Sequence, residues 1–233
     1  MGKKLEELST RYYKQFFDQT ANSGFNGWLF SYTHKKLELI PRFKNGQKSK
    51  YQKILEVGAG SGQHLKYVEK NYTKYVMTDI NPSLIFKNNS KSKEINIEYK
   101  VADVQSLPFK QNSFDRVIAT CLMHHLSDFE KALLEIKRVV KYEGLVSIYL
   151  SCDPGIMNRL LRKLLIIPKA RKLGFNDYDL FIAREHRNHF QSIKTLIEHI
   201  FKGQAIQVRY YPFVIKSWSL NTFCIFQIQM TSK

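Results

Sequence analysis

The sequence predicts an α/β fold built on a doubly wound, mostly parallel sheet. From residue 51 onward, short apolar runs alternate with helical segments, which is typical of βαβ units. The runs at 54–57 and 75–79 are rich in apolar residues, as expected for strands that are covered on both faces. Two late β-rich runs, 205–211 and 222–230, have no helix between them and predict an antiparallel edge hairpin.

The elements follow from the spacing of apolar residues and from helix-ending signals. Two N-terminal helices are expected in the first fifty residues, one with its apolar stripe at Leu5, Leu8, Tyr12 and Phe16 and one over 28–40. The predicted core has strands at 54–57, 75–79, 97–101, 114–121 and 145–150, and helices at 63–70, 82–89 and 129–141. Two further helices, at 156–167 and 179–201, precede the hairpin.

Composition excludes several classes of protein. With 43% hydrophobic and 24% charged residues, the chain has the composition of a folded globular domain. Three scattered cysteines form neither a disulfide framework nor a C-x-x-C zinc pair, so we expect no metal site and a cytoplasmic location. The N-terminus lacks the apolar segment of a secretory signal, and no apolar run is long enough to span a bilayer.

The net charge of +17 is the unusual bulk property. Residues 1–50 carry a basic excess of 6, residues 51–150 of 3 and residues 151–233 of 8. A basic surface attracts anionic partners, which include nucleic acid, phosphorylated metabolites and anionic lipid. Plain solubility is an equally good explanation of this charge.

A glycine loop is the most informative motif. The run ILEVGAGSG at 54–62 follows a predicted strand and precedes a predicted helix. Gly58 and Gly60 permit backbone conformations and close approaches that a Cβ atom would prevent. The spacing differs from that of the dinucleotide motif G-x-G-x-x-G, and no G-K-[ST] follows. The nearby carboxylate of Glu56 disfavours phosphate and favours a cation.

Two more carboxylates stand at predicted strand ends. Asp79 ends the second strand, where a carboxylate can accept hydrogen bonds from two ribose hydroxyls. Asp103 follows the third strand. Because parallel strands end at one edge of the sheet, we expect Glu56, Asp79 and Asp103 to converge on one crevice.

These motifs identify a resemblance. The runs LEVGAGSG, MTDIN, VADVQSLPFKQNSFDRVIATCLMHHL and LLEIKRVVKYEG resemble the class I S-adenosylmethionine-dependent methyltransferases of the small-molecule kind, which have a Rossmann-like fold. The resemblance covers residues 51–150. A Tyr-Glu-Gly turn at 142–144 replaces the family's usual Pro-Gly pair.

The resemblance implies a role for each matching residue. Glu56 and the backbone around Gly58 and Gly60 would hold the methionine part of S-adenosylmethionine, and Asp79 would hold the ribose hydroxyls. Asp103 would accept from the adenine amino group while the Val104 amide faces the ring. The full implied set of cofactor contacts is Glu56, Gly58, Ala59, Gly60, Asp79, Ile80, Asp103, Val104 and Cys121. S-adenosylhomocysteine would be the product.

The order of the predicted elements indicates a division of the single domain of 1–233. Residues 1–50 would form a helical lid, 51–152 the cofactor-binding core, 153–203 a helical cap and 204–233 the last strands. The cap segment 153–179 would lie beyond a strand's carboxyl end, where open α/β sheets bind ligands.

His124 and His125 are the candidates for acceptor chemistry. Both follow the fourth predicted strand, and a histidine can take a proton at neutral pH. We expect His125 rather than His124 to serve as the base, and a packing role explains either residue equally well. His186 and His189 lie three apart in a predicted helix, which favours a solvated helical turn or substrate contact over a metal site.

The acceptor is the least constrained part of the prediction. We expect methyl transfer to an oxygen or nitrogen of a small, anionic molecule, with a nucleotide-linked or lipid-linked sugar of polysaccharide synthesis as the first guess. The basic, apolar run at 159–172 could contact a diphosphate or anionic lipid, or simply pack on the core. An RNA methyltransferase and a non-catalytic cofactor-binding partner subunit are the alternatives.

Overall fold

The computed structural model describes residues 24–41, 43, 51–89, 96–213 and 215–231. The side chains of residues 25, 26 and 86–89 are also outside this set. The predicted first helix, with its stripe from Leu5 to Phe16, lies outside the described residues. The second predicted N-terminal helix is present and begins and ends slightly earlier than expected, at Gly24 and Leu37.

A seven-stranded sheet forms the centre of the described structure. Its strands are β1 (Lys53–Val57), β2 (Lys74–Asp79), β3 (Ile97–Val101), β4 (Phe114–Thr120), β5 (Val140–Ser151), β6 (Ala205–Tyr211) and β7 (Phe223–Gln229). The strand order is β3-β2-β1-β4-β5-β7-β6. The first five strands are parallel, and β7 pairs antiparallel with both β5 and β6. The predicted mostly parallel sheet with an antiparallel edge hairpin is therefore confirmed.

Helices lie on both faces of this sheet. They are α1 (Gly24–Leu37), α2 (Pro82–Asn89), α3 (Phe129–Val139), α4 (Ile156–Leu161), α5 (Ile167–Lys172), α6 (Tyr178–Glu185) and α7 (Phe190–Ile200), and a π-helical turn (Arg162–Ile166) joins α4 to α5. Helix α3 begins where the Asp128 side chain accepts a hydrogen bond from the Lys131 amide at 2.9 Å.

Two apolar cores hold the helices to the sheet. Helices α3 and α7 bury Leu133 and Ile197 against one face, in a core that includes Val146 of β5. Helix α1 covers the other face, where Leu37 packs near Ile54 of β1. Because β1 to β5 run in the same direction, their carboxyl ends lie at one edge of the sheet. The loops that follow these strands lie at that edge.

Two predicted helices differ from the observed structure. In place of a helix at 63–70, the chain forms turns and one 3-10 turn, Leu65–Tyr67. The buried ring of His64 is bonded to Glu38 beside α1, and this tertiary contact favours turns over a regular helix.

The predicted helix 179–201 is interrupted at residues 186–189, between α6 and α7. The amides of Arg187 and Asn188 donate to the carbonyl oxygen of His124 at 3.1 and 3.3 Å. These bonds replace helical ones and hold the interruption against the loop after β4. The expectation that His186 and His189 share a helical face is therefore wrong.

Candidate functional site

The glycine loop begins where β1 ends. Gly58 and Gly60 have φ angles of +63° and +55°, in the left-handed region that glycine adopts without strain. A Cβ atom at Gly58 would lie 2.6 Å from Leu122 Cδ1, whereas one at Gly60 would meet none of the described residues within 4 Å. The loop thus packs tightly at Gly58 on the segment after β4.

The ends of β2 and β3 lie next to each other beside the glycine loop. The Asp79 carboxylate accepts a hydrogen bond from the Gly60 amide at 2.9 Å and another from the Asn81 amide at 2.9 Å. The Ala102 amide donates to the Asp79 carbonyl oxygen at 3.1 Å, which joins the segment carrying Asp103 to the same edge. Asp79 and Asp103 are both partly exposed, so each can still accept hydrogen bonds from a ligand.

Glu56 lies deeper than the other two carboxylates. It is fully buried, and one oxygen accepts a hydrogen bond from the Tyr75 hydroxyl at 2.6 Å. Its Oε1 finds no hydrogen-bond partner among the described residues. Burial raises the pKa of Glu56. A buried carboxylate oxygen without a partner is costly, and a cationic ligand group would satisfy it.

The remaining predicted cofactor contacts differ in exposure. The Ile80 side chain is 66% exposed directly after the Asp79 strand end, so it offers an apolar surface at the crevice. The side chains of Val104 and Ala59 are buried in the two cores, so a cofactor would meet the backbone of these residues rather than their side chains. Cys121 has a φ of +53°, and burial raises the pKa of its thiol to about 12. Cys121 is therefore protonated at neutral pH.

His124 and His125 lie in a 3-10 turn, Met123–His125, next to the glycine loop. The His124 ring is fully buried, and its Nδ1 lies 2.7 Å from the Asn188 carbonyl oxygen. The His125 ring is partly exposed, and its Nδ1 lies 3.9 Å from Glu185 Oε2. Burial lowers the pKa of His124 to about 4 and of His125 to about 3, so both rings are neutral at pH 7.

A third histidine belongs to this cluster, His186, which the sequence analysis assigned only to a solvated helical turn or a substrate contact. His186 stacks on His124 with ring centroids 5.4 Å apart and meets His125 edge-on at 5.0 Å. Its Nδ1 lies 3.1 Å from the carboxylate of Asp153, which follows β5. The only sequence signal for this pairing was the position of Asp153 directly after a strand. Its partner 33 residues away became visible only in the structure.

Asp153 is held by several groups. Arg162 of the π-helical turn donates to Oδ1, and the Ser151 hydroxyl donates to Oδ2 at 3.1 Å. Burial alone would raise the pKa of Asp153, but His186 and Arg162 outweigh burial and hold the pKa below the usual range. We define Asp153, His186, His124 and His125 as the strand-end cluster.

A second histidine cluster lies under α1, and we call it the helix-docking cluster. His64 lies 2.7 Å from His34, between the two Nδ1 atoms, and its Nε2 lies 3.0 Å from Glu38. Glu38 also accepts two hydrogen bonds from Arg116 at 2.8 Å. Among the described residues, neither this cluster nor the strand-end cluster has three groups arranged to hold a metal ion.

Comparison with known proteins matches the central part of the chain to a protein family. Residues 55–148 match the family described as methyltransferase domain. Over this segment the chain is similar to methyltransferases, and we call residues 55–148 the methyltransferase domain on the basis of this match. The match begins inside β1 and ends inside β5, so the methyltransferase domain includes the glycine loop, Asp79, Asp103 and both predicted histidines.

Individual relatives of the methyltransferase domain differ in what their names state. The chain is 28% identical over 165 residues to the ubiquinone/menaquinone biosynthesis C-methyltransferase UbiE of Haemophilus ducreyi, covering 64% of each chain. The PH0226 protein of Pyrococcus horikoshii superposes with a TM-score of 0.64 at 18% identity, covering 94% of this chain and 98% of that one. The N-methyltransferase NodS of Bradyrhizobium japonicum, solved with S-adenosylhomocysteine, superposes with a TM-score of 0.61 at 11% identity, covering 94% and 98%.

The curated relatives share only part of their length with this chain. The chain spans 28% of one relative and 64% of another, which is less than two thirds of each. The two solved structures are below 25% identical and establish the fold of the methyltransferase domain. In the part of the chain that the structure describes, no helix is both long and apolar enough to cross a bilayer.

Proposed function

We propose that this protein transfers a methyl group from S-adenosylmethionine to an oxygen or nitrogen of a small molecule in the cytoplasm, with a nucleotide-linked or lipid-linked sugar as the first candidate. The observation that carries this proposal is the 2.9 Å hydrogen bond from the Gly60 amide to Asp79. This bond joins the glycine loop to the acidic end of β2, so that both lie at the same edge of the sheet.

The residues present fit the cofactor. The unsatisfied Oε1 of Glu56 suits the methionine ammonium group, and the partly exposed Asp79 suits two ribose hydroxyls. Asp103 and the Val104 amide are available to the adenine, beside the exposed side chain of Ile80. When bound, S-adenosylmethionine supplies a methyl group on a sulfonium, and transfer requires an aligned acceptor lone pair and exclusion of water.

The strand-end cluster supplies the proton acceptor. His125 remains a candidate base because its ring is partly exposed beside the glycine loop. His186 is the stronger candidate because the Asp153 carboxylate faces its Nδ1 and fixes the proton there. The Nε2 atom of His186 then carries no proton and can take one from the molecule that receives the methyl group. Asp153 stabilises the imidazolium that forms.

A carbon acceptor is the second candidate. It is favoured by the similarity to UbiE, whose name describes a C-methyltransferase. Incubation with isotopically labelled S-adenosylmethionine and a panel of nucleotide-linked sugars, lipid-linked sugars and quinone precursors would separate the candidates. The NMR shift of the labelled methyl group distinguishes bonds to oxygen, nitrogen and carbon.

Cofactor binding is tested first, by calorimetry with S-adenosylmethionine and S-adenosylhomocysteine. We expect Asp79→Ala to weaken both by at least about 100-fold, because two hydrogen bonds to a charged group, each worth about 1.5–3 kcal/mol, are lost. Asp79→Asn, which keeps the shape of the side chain, should weaken binding less.

The matched control is Asp115→Ala. Asp115 lies at the opposite end of β4, where it binds Lys141 at 2.8 Å. This variant should bind both compounds as the wild type does. Unchanged affinity in Asp79→Ala would overturn the ribose assignment, and no binding by the wild type would overturn the proposed function.

A further inference from the structure

The cap presents large apolar side chains to solvent. Residues 156–172 form one helical run, α4, the π-helical turn and α5. Ile156, Leu160 and Leu164 lie on one helical face, and they are 63%, 48% and 60% exposed. Leu165 is exposed as well. Solvent-facing helical stripes are normally polar, so this stripe indicates a surface that another phase or molecule covers.

The charges along this stripe have one sign. The run 156–172 contains six basic residues and no acidic residue. Arg159 and Lys163 are exposed between the apolar side chains, and Arg171 and Lys172 continue the exposed face at its end. A partner that fits this face therefore carries negative charges at its surface and apolar groups directly below them.

The loop between β6 and β7 packs against the start of this helical run. The amides of Ile156 and Met157 donate to the hydroxyl and carbonyl oxygens of Ser219 at 3.2 and 3.0 Å. Gly155 makes this approach feasible, since a Cβ atom there would lie 3.1 Å from Ser219 Cα. The loop adds three exposed apolar side chains, Phe213, Ile215 and Leu220. We call them, with Ile156, Leu160, Leu164 and Leu165, the cap surface.

We propose that the cap surface docks on an anionic lipid bilayer. Apolar side chains enter the boundary between headgroups and acyl chains, and neighbouring Lys and Arg side chains bind the anionic headgroups. RNA fits this face less well, because six of the seven apolar side chains of the cap surface are aliphatic and offer no flat ring on which bases could stack.

The position of the cap surface relates it to the crevice. Arg162, in the same helical run, binds Asp153 of the strand-end cluster. A docked bilayer therefore lies one helix away from the proposed base. This favours the lipid-linked over the nucleotide-linked acceptor, a step that rests on the proposed function.

Co-sedimentation with vesicles tests the docking without cofactor or methyl transfer. We expect the protein to sediment with vesicles that contain phosphatidylglycerol and to stay in solution with phosphatidylcholine alone. Arg159→Gln/Lys163→Gln should weaken binding by at least about tenfold, since each basic residue near an anionic surface contributes about fivefold. Leu160→Gln/Leu164→Gln should weaken it by about tenfold.

The matched control is Lys110→Gln/Lys202→Gln. These exposed lysines precede β4 and β6, at the opposite edge of the sheet, and the control removes the same charge. It should bind as the wild type does, and circular dichroism melting checks that all variants fold.

Equal losses of vesicle binding in the control would overturn the proposal in favour of general charge attraction. Absence of binding to phosphatidylglycerol vesicles would overturn it too, and a dimer by light scattering would then assign the surface to a second copy. None of these outcomes depends on cofactor binding, so docking and methyl transfer can fail separately.

Discussion

The two histidine clusters contain the same chemical groups in different surroundings. Each combines histidine rings with a carboxylate that is bound by an arginine. In the helix-docking cluster, Arg116 and Glu38 form a bidentate pair at 2.8 Å, and both histidine rings are buried. In the strand-end cluster, the rings of His125 and His186 are partly exposed at the crevice. The comparison teaches that solvent access, rather than residue type, separates a structural cluster from a candidate catalytic one.

The helix-docking cluster extends across the sheet. Arg116 donates to the Ser147 hydroxyl at 3.0 Å, and Ser147 donates to Gln227 at 2.7 Å. Gln227 donates to the Leu37 carbonyl oxygen at the end of α1, also at 2.7 Å. This network joins β4, β5 and β7 to the N-terminal helix, so we expect its loss to affect stability.

The largest expected effect is on stability, from Arg116→Met. The variant leaves the Glu38 carboxylate buried without its cation and should lower the free energy of unfolding by about 3–5 kcal/mol. Urea denaturation followed by circular dichroism measures this change. Lys194→Met, which breaks the exposed pair with Glu198, should cost about 0–1 kcal/mol. A loss below 1 kcal/mol in Arg116→Met would show that the helix-docking cluster is not what holds α1.

The next effect is on catalysis, from Asp153→Asn. With the acceptor found by the labelled screen, we expect kcat to fall by about 100-fold to 10,000-fold, because His186 loses its orienting carboxylate. The affinity for S-adenosylhomocysteine should stay unchanged. In nitrogen-15 NMR, neutral His186 should carry its proton on Nδ1 in the wild type and lose that preference in the variant.

The control separates the two candidate bases. Glu185→Gln removes the carboxylate near His125 and should leave kcat within a few-fold of the wild type. If Glu185→Gln lowers kcat and Asp153→Asn does not, His125 is the base and the assignment of His186 is wrong.

The last effect is a gradual loss of stability in acid, which accumulates over several pH units. His34, His124 and His125 have pKa values lowered by burial to about 2, 4 and 3, against 6.5 when unfolded. The unfolded chain therefore binds more protons, so stability is retained above pH 6.5 and falls below it. As the pH falls from 6.5 to 4, each histidine that stays neutral in the folded protein lowers the free energy of unfolding by up to about 1.4 kcal/mol per pH unit.

Below pH 4.5, Glu38 adds to this loss. Burial opposes its ionisation, but Arg116 and His64 outweigh burial and lower its pKa to about 2. Its stabilising contribution is therefore lost as the pH falls from about 4.5 towards 2. Urea midpoints from pH 7 to 4 measure the histidine part, and His34→Gln should reduce the slope. A flat profile would mean that these histidines are accessible to protons in the folded state.

Local patterns in the sequence determined the sheet and pointed to the candidate cofactor site. Alternating apolar runs predicted β1 to β7, since each strand carries its own burial pattern. The glycine spacing and the acidic residue at the end of β2 predicted that Gly60 and Asp79 lie at one crevice, and the structure places them within hydrogen-bond distance. These features are readable because each one depends on neighbours along the chain and on the shared direction of parallel strands.

The candidate site for the methyl acceptor could be recognised only in the tertiary structure. His186 meets Asp153 because the amides of Arg187 and Asn188 bond to His124, and this interrupts a segment whose apolar spacing predicts a continuous helix. The exposed stripe of the cap likewise could not be told from a core-facing stripe by its spacing. Periodicity defines which residues share a face, but the contacts made by distant segments decide whether that face is buried. For this reason the sequence determined the methyltransferase core, and the folded chain decided which histidine has a carboxylate partner and which leucines reach solvent.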